Sequence, residues 1–188
     1  MTRFEIPTLT TPRLKLRAAR LADFEAFAGF LASEHSRYMD GPINRDTAWS
    51  WFANDIAGWA LQGVGGLMIE CEGAVVGQVA IGQPPRFPEV ELGWLVYPAH
   101  SGKGYATEAT RALRDWAWTN TNLTTLVSYI DPDNAASRAL AAKLGAVVDE
   151  TASRPDGEGP EDCVVYRHPR PGDAGFASDS DGSPEAYA

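Results

Sequence analysis

The residues best placed to do chemistry lie in ELGWLVYPAHSGKGYATEATRALRDWAW, residues 91–118. Gly102, Lys103 and Gly104 stand between an apolar run that stops at Pro98 and a helical repeat that puts Ala106, Ala109, Leu113 and Trp116 on one face. A helix start leaves backbone N–H groups unpaired and carries partial positive charge. Glycines just before it let a ligand approach the backbone closely. Gly102, Lys103, Gly104, Tyr105, Ala106 and Thr107 together could therefore cradle a phosphate or pyrophosphate, with Lys103 adding a mobile charge. A plain strand-to-helix turn would use the same two glycines. A Walker A loop needs Ser or Thr directly after Gly-Lys, where Gly104 stands. A dinucleotide fingerprint needs a third glycine where Thr107 stands.

The elements that must position this loop are readable from periodicity and punctuation. RLKLRAA (13–19) alternates as a strand. Asp23 is a suitable N-cap for a helix carrying Phe24, Phe27, Ala28 and Leu31, and Trp49, Phe52, Ala53, Ile56 and Trp59 mark a second helix that ends at Gly63, Gly65 and Gly66. Residues 67–82 read as two strands around a Glu72-Gly73 turn, and VELGWLV as the third of an antiparallel run. After the glycine loop and its helix, TLVSYI (125–130) is a strand. DPDN leads into a helix with Ser137, Leu140, Ala141 and Leu144 on one face, and AVVDE and DCVVYRH are the last strands. The order predicts an α/β fold: a single domain with one mixed central sheet and helices on both faces. The domain is expected over 1–168. Residues 169–188, rich in Gly, Ser, Asp and Pro, are expected to be a disordered acidic tail.

Composition narrows the function. The 188 residues carry a formal net charge of −9, which argues against nucleic acid as a partner, because that affinity rests on Lys and Arg neutralising phosphates. No run of about 18 apolar residues occurs, so no membrane span is expected, and the N-terminus lacks the apolar core of a signal peptide. Cys71 and Cys163 read as thiols of a reducing cytoplasm, and the scattered His35, His100 and His168 offer no metal site.

The motif ELGWLVYPAHSGKGYATEA, followed about thirty residues later by NAASRALAAKLGA, resembles the GNAT superfamily of acyl-CoA-dependent N-acetyltransferases. It is closest to the branch of ribosomal-protein N-terminal acetyltransferases, and the resemblance covers residues 10–168. One position departs: Ser101 stands where the family pattern has Gln or Arg, which removes one donor for the pyrophosphate and leaves the backbone amides.

The resemblance implies acetyl-CoA as acyl donor, no metal, and a primary amine as acceptor: a protein N-terminus, a lysine or a small molecule. It implies that the ELGWLV strand bulges and splays from TLVSYI, freeing backbone groups of Trp94, Leu95 and Val96 for the pantetheine arm and the thioester oxygen. It makes Asn134 a pantetheine contact. Ser137 becomes the donor to the leaving thiolate, since Ala141 occupies the place of the usual Tyr. Helix capping would also satisfy Asn134 and Ser137. The amine must be neutral to attack although its pKa is roughly 10, and a carboxylate, directly or through water, can take the proton. Glu91 is the candidate base, Glu89 shares its face, and Glu158, Glu161 and Asp162 are the second source. Arg37, Tyr38 and Trp49, with His35 and Asp40 nearby, are candidates for the acceptor pocket, and Trp51 falls off the apolar stripe. A non-catalytic acyl-CoA-binding module or sensor, and a homodimer, stay open.

Overall fold

The computed structural model describes residues 5–173. Most of the tail expected over 169–188 lies outside the described residues.

One eight-stranded sheet runs in the order β1-β2-β3-β4-β5-β6-β8-β7. Its strands are β1 (Leu9–Thr10), β2 (Lys15–Arg17), β3 (Gly66–Cys71), β4 (Ala74–Gly82), β5 (Glu91–Val96), β6 (Val127–Ile130), β7 (Val147–Val148) and β8 (Val164–Arg167). The helices are α1 (Phe24–Leu31), α2 (Arg45–Leu61), α3 (Tyr105–Asn120) and α4 (Ala135–Lys143). The mixed α/β architecture is the one expected. The first strand is shorter than its alternating pattern suggested, and β1 was not foreseen. The Glu72-Gly73 hairpin forms as read, with both residues at positive φ (52° and 84°) and Cys71 opposite Ala74.

Period two sorts the sheet into two faces. Leu16, Leu67, Ile69, Val79, Ile81 and Leu92 pack against Ala109, Leu113 and Ala117 of α3. Met68 and Leu95 turn the other way, onto Phe24, Phe27, Leu31 and Phe52 of α1 and α2. Asp23 does not cap α1 as expected. Its carboxylate accepts from the Arg17 guanidinium at 2.8 and 3.0 Å and from Arg20 N at 2.7 Å, tying β2 to the helix start. Asn44 does cap α2, through Thr47 N at 2.9 Å. Arg114, buried on α3, donates to Leu144 O at 2.7 Å and so fixes the end of α4 against α3.

Every neighbouring pair in the sheet is antiparallel except β5 and β6, which pair in parallel at a single position, Glu91 opposite Val127. Val127 N donates to Val90 O at 3.0 Å. Just beyond, the Ser128 hydroxyl donates to Leu92 O at 2.5 Å, and His168 Nε2 lies 2.9 Å from the same hydroxyl. Because that hydroxyl gives its proton to Leu92, the imidazole must donate, which leaves Nδ1 as the bare nitrogen; Nδ1 indeed has no hydrogen-bond partner among the described residues. Burial, reinforced by the Arg114 charge, pushes the His168 pKa down to about 3, so the ring is neutral. Past this pin the strands part.

Ser128→Ala should leave Leu92 O and His168 Nε2 unpaired in the interior, at a cost of about 1–3 kcal/mol. For a chain of this size each kcal/mol corresponds to about 2–4 °C in melting temperature. Calorimetric melting checks this, and an unchanged midpoint would show that the pin carries no stability.

Candidate active site

The loop Ser101–Gly104 is exposed and leads into α3 with Gly102 and Gly104 both in the left-handed region, φ 77°. Gly104 is the N-cap residue and offers no side chain there, so the first-turn amides are open to an anion. A residue the sequence reading passed over holds this loop. Arg13 donates through Nε to the buried Glu108 at 2.7 Å and through Nη1 to Lys103 O at 2.8 Å. Its guanidinium lies over the Tyr105 ring at 5.1 Å, and a Cβ on Gly104 would stand 3.2 Å from Nη2. A second cation besides Lys103 thus stands beside the helix start. The usable signal was Glu108, a carboxylate one residue from the apolar stripe of α3.

The β5 edge facing the opening can be assigned by alternation. Val90 O and Leu92 O point at β6, whereas Tyr97 N donates to Val76 O on β4 at 2.8 Å. Backbone groups of Trp94 and Val96 therefore face the opening. Leu95, which pairs with Gln78, turns its backbone to β4, so it cannot supply the free groups expected of it. The expected bulge in β5 is absent too: its register with β4 is unbroken from Glu91 to Val96. The register shift sits instead between β3 and β4, at Ile69/Glu70.

Trp94 packs with Ile130, Ala141, Ala146 and Tyr166, wedging α4 and β8 away from β5. At the start of α4, Asn134 Oδ1 accepts from Ser137 N at 3.1 Å, the capping role. The Ser137 hydroxyl is half-buried and makes no hydrogen bond among the described residues.

Glu91 sits where β5 and β6 part, half-buried, and accepts from the Tyr129 backbone N–H. Burial pushes its pKa up to about 7, with that N–H and Arg86 pulling the other way. Asp55 of α2, also half-buried, was not singled out from the sequence. Burial raises it to about 7 as well, although the Gln78 carboxamide bonds it. Asp55 lies over Gly66, where a Cβ would stand 2.7 Å from the Asp55 Cβ. Three of the other four candidate carboxylates are committed to partners. Glu89 is held by Arg167 (2.7 Å) and Thr125 (2.6 Å), and Glu158 by Arg86 at 2.9 Å. Arg86 also reaches Asp40 at 3.3 Å, joining three loops over this end of the sheet. Asp162 accepts from Gly159 N at 3.0 Å, and Glu161 is exposed.

The candidates for the acceptor pocket separate. Arg37 stacks on the Tyr38 ring at 4.4 Å, and both lie in the 3-10 turn Glu34–Met39. His35 is exposed. Trp49 is 47% exposed, edge-on to Phe24 at 5.1 Å, about a third of a turn around α2 from Asp55. Trp51, one turn before Asp55, shares its face and packs on the α1–α2 core. Among the described residues there is no group of three or more His, Cys, Asp or Glu arranged to hold a metal, and no helix long and apolar enough to cross a membrane. Cys71 and Cys163 are free.

Residues 13–147 match the family model described as an acetyltransferase (GNAT) domain. The chain is similar to a crystal structure of an acetyltransferase from Agrobacterium tumefaciens, with 45% identity, a TM-score of 0.84 and coverage of 90% of this chain and 98% of the other. Mycobacterium smegmatis RimJ in complex with CoA-disulfide aligns at 25% identity and TM-score 0.61, covering 82% of this chain and 80% of that one. The Bacillus subtilis uncharacterized N-acetyltransferase YnaD is 22% identical over 138 residues, 73% of this chain and 81% of its own.

A carboxyl whose pKa is raised in the folded state binds its proton more tightly there. Its contribution to stability is present below the unfolded value and is lost as the pH rises through about 7 for Glu91. Glu91→Gln should therefore melt above the wild type at pH 8, and the gap should close towards pH 4. Melting curves across that range check this, and a constant or inverted gap would show that Glu91 is not held protonated by its surroundings.

Proposed function

Since the chain belongs to the GNAT acetyltransferase family, we propose that it carries an acetyl group from acetyl-CoA to a primary amine by direct attack within a ternary complex. The observation that carries this reading is the opening between β5 and β6, with the glycine-led start of α3 at its mouth and Glu91 at its vertex. From Glu91 to Val96 the edge runs about 16 Å at about 3.3 Å per residue, a length suited to an extended pantetheine arm. Its pyrophosphate would meet the amides of Gly102 to Thr107, with Lys103 and Arg13 beside them. Arg13 offsets the missing donor at Ser101. That RimJ was solved with CoA-disulfide supports a donor of this kind.

In this reading the acceptor ammonium first gives a proton to Glu91, directly or through water. The neutral nitrogen attacks the thioester carbon, and the oxyanion is met by an N–H of Trp94 or Val96. The C–S bond breaks as the nitrogen gives up its second proton, which reaches the departing thiolate through the Ser137 hydroxyl, so that the serine is left unchanged and the products are the amide and CoA. Free thiols at Cys71 and Cys163 favour the cytoplasm as the site of reaction.

Thiol release from acetyl-CoA across a panel of amines and N-terminal peptides tests the function. Turnover with at least one amine is expected, whereas tight CoA binding with none would leave a binding module. Gly104→Val puts a β-branched side chain at φ 77° and against Arg13. It should weaken CoA in calorimetry while leaving pantetheine, which lacks the pyrophosphate, unaffected. Equal affinities for CoA in wild type and variant would place the cradle elsewhere.

Glu91→Gln should lower turnover on the order of 10²-fold at pH 7. The defect should shrink by pH 9.5, where neutral amine is supplied without a base. A defect of the same size at both values would pass the role to Glu161 or to bulk water.

A further inference from the structure

Resting on that reading of the cleft, we propose that Asp55 is its second functional carboxylate: it holds the incoming ammonium over a floor of Gly66, Ala80 and Gly93 while Glu91 removes the proton. The floor follows from register. Gly66 pairs with Ala80 and Ala80 with Gly93, so one row across β3, β4 and β5 offers two hydrogens and a methyl to the α2 side of the sheet. Glu91 lies two residues from Gly93 on the same face, its Oε2 4.0 Å from where a Gly93 Cβ would stand. Asp55 closes the opposite end, packed on Gly66 and fixed by Gln78, itself 95% buried. Gly66 and Gly93 stand two strand spacings apart, about 9.6 Å at the backbone, with Glu91 two residues further along β5.

What marks the pair is the lack of a counter-ion. Asp23, Glu70, Glu89, Glu108, Asp149 and Glu158 all hold an arginine. Asp55 and Glu91 form no ion pair among the described residues, although a carboxylate taken from water normally requires one. The groups that face them are Gln78, the Tyr129 N–H, Glu158 and Arg86, and Arg86 is already shared between Glu158 and Asp40. A ligand that completes this site is a cation. The bare floor takes an amine on an unbranched methylene chain, as in an alkyl diamine or a lysine side chain. A free α-amino acid would bring its own carboxylate against two others and is excluded. Asp55 therefore decides which amines enter, and Glu91 acts on the one that has entered.

The test uses 1,5-diaminopentane as cationic probe, with glycine for comparison, on the wild type, Asp55→Asn and Glu91→Gln. Asp55→Asn keeps the shape and the Gln78 bond. It should raise KM for the diamine by about tenfold or more, with kcat changed far less and CoA affinity in calorimetry unchanged. Glu91→Gln should show the opposite split, and glycine should be a poor substrate throughout. An unchanged KM in Asp55→Asn with CoA binding intact would overturn the role of Asp55. Should the wild type turn over no amine, the diamine is titrated calorimetrically into the CoA-loaded protein. Binding that Asp55→Asn abolishes would uphold the ammonium site apart from the catalytic reading, and binding by neither protein would overturn it.

Discussion

The structure depends on how briefly β5 and β6 pair. The central parallel pair of a sheet would ordinarily run the length of both strands, because each buried backbone group needs a partner. Here it ends after Glu91 and Val127, and the last contacts are made by side chains: Ser128 on Leu92 O, backed by a neutral His168, and the Glu91 carboxylate on the Tyr129 N–H. Trp94 fills the space beneath, against Ile130, Ala141 and Tyr166, so the strands cannot close again. The groups left over on Trp94 and Val96 are what a thioester and its arm can use.

In the proposed reading that opening gives the two substrates separate places. Towards the C-terminal end of β5 the chain turns through Gly102 and Gly104 into α3, where open amides and two cations would receive a polyanion. On the α2 side stand two carboxylates, Asp55 and Glu91, that form no ion pair among the described residues, and these would receive the amine. Both arrangements cost stability: unpaired strand edges, left-handed glycines and half-buried acids would all be replaced in a chain selected only to fold. The offsetting terms lie nearby. Arg13 on Glu108, Arg17 on Asp23 and Glu70, and Arg114 on Leu144 O tie the elements around the site to one another with charge-assisted bonds.

Much of this was legible in the sequence where it depends on neighbours in the chain. The glycine loop, the Glu72-Gly73 hairpin and the Asn134 cap are local, and each formed as its residue types dictate. What escaped was set by partners far along the chain. Arg13 and Glu108 meet across a separation of 95 residues, and neither alone distinguishes itself from a strand cation and a helix acid. Asp55 reads as an ordinary polar helix position until Gly66 is found beneath it. Trp49 could be placed on the apolar stripe of α2 and named for the acceptor pocket from the sequence, but its position at the rim, 47% exposed while Phe52 and Trp59 are buried, depends on how α2 is rotated against the sheet. Asp23 is typed as a cap and serves as a counter-ion, because Arg17 reaches it first. Leu95 failed for a subtler reason: alternation says that Trp94 and Val96 differ from it, but only the identity of the strand on each side says which of them is free.

A crystal structure of the chain with CoA is the most direct measurement of the central claim, that the parting of β5 and β6 is the donor site. The expected result has the pyrophosphate on the amides of Gly102 to Thr107 beside Arg13. The pantetheine should lie between β5 and β6 on the backbone of Trp94 and Val96, with the sulfur within hydrogen-bonding reach of the Ser137 hydroxyl and open towards Glu91. CoA bound elsewhere, or β5 and β6 paired along their length in its presence, would contradict it.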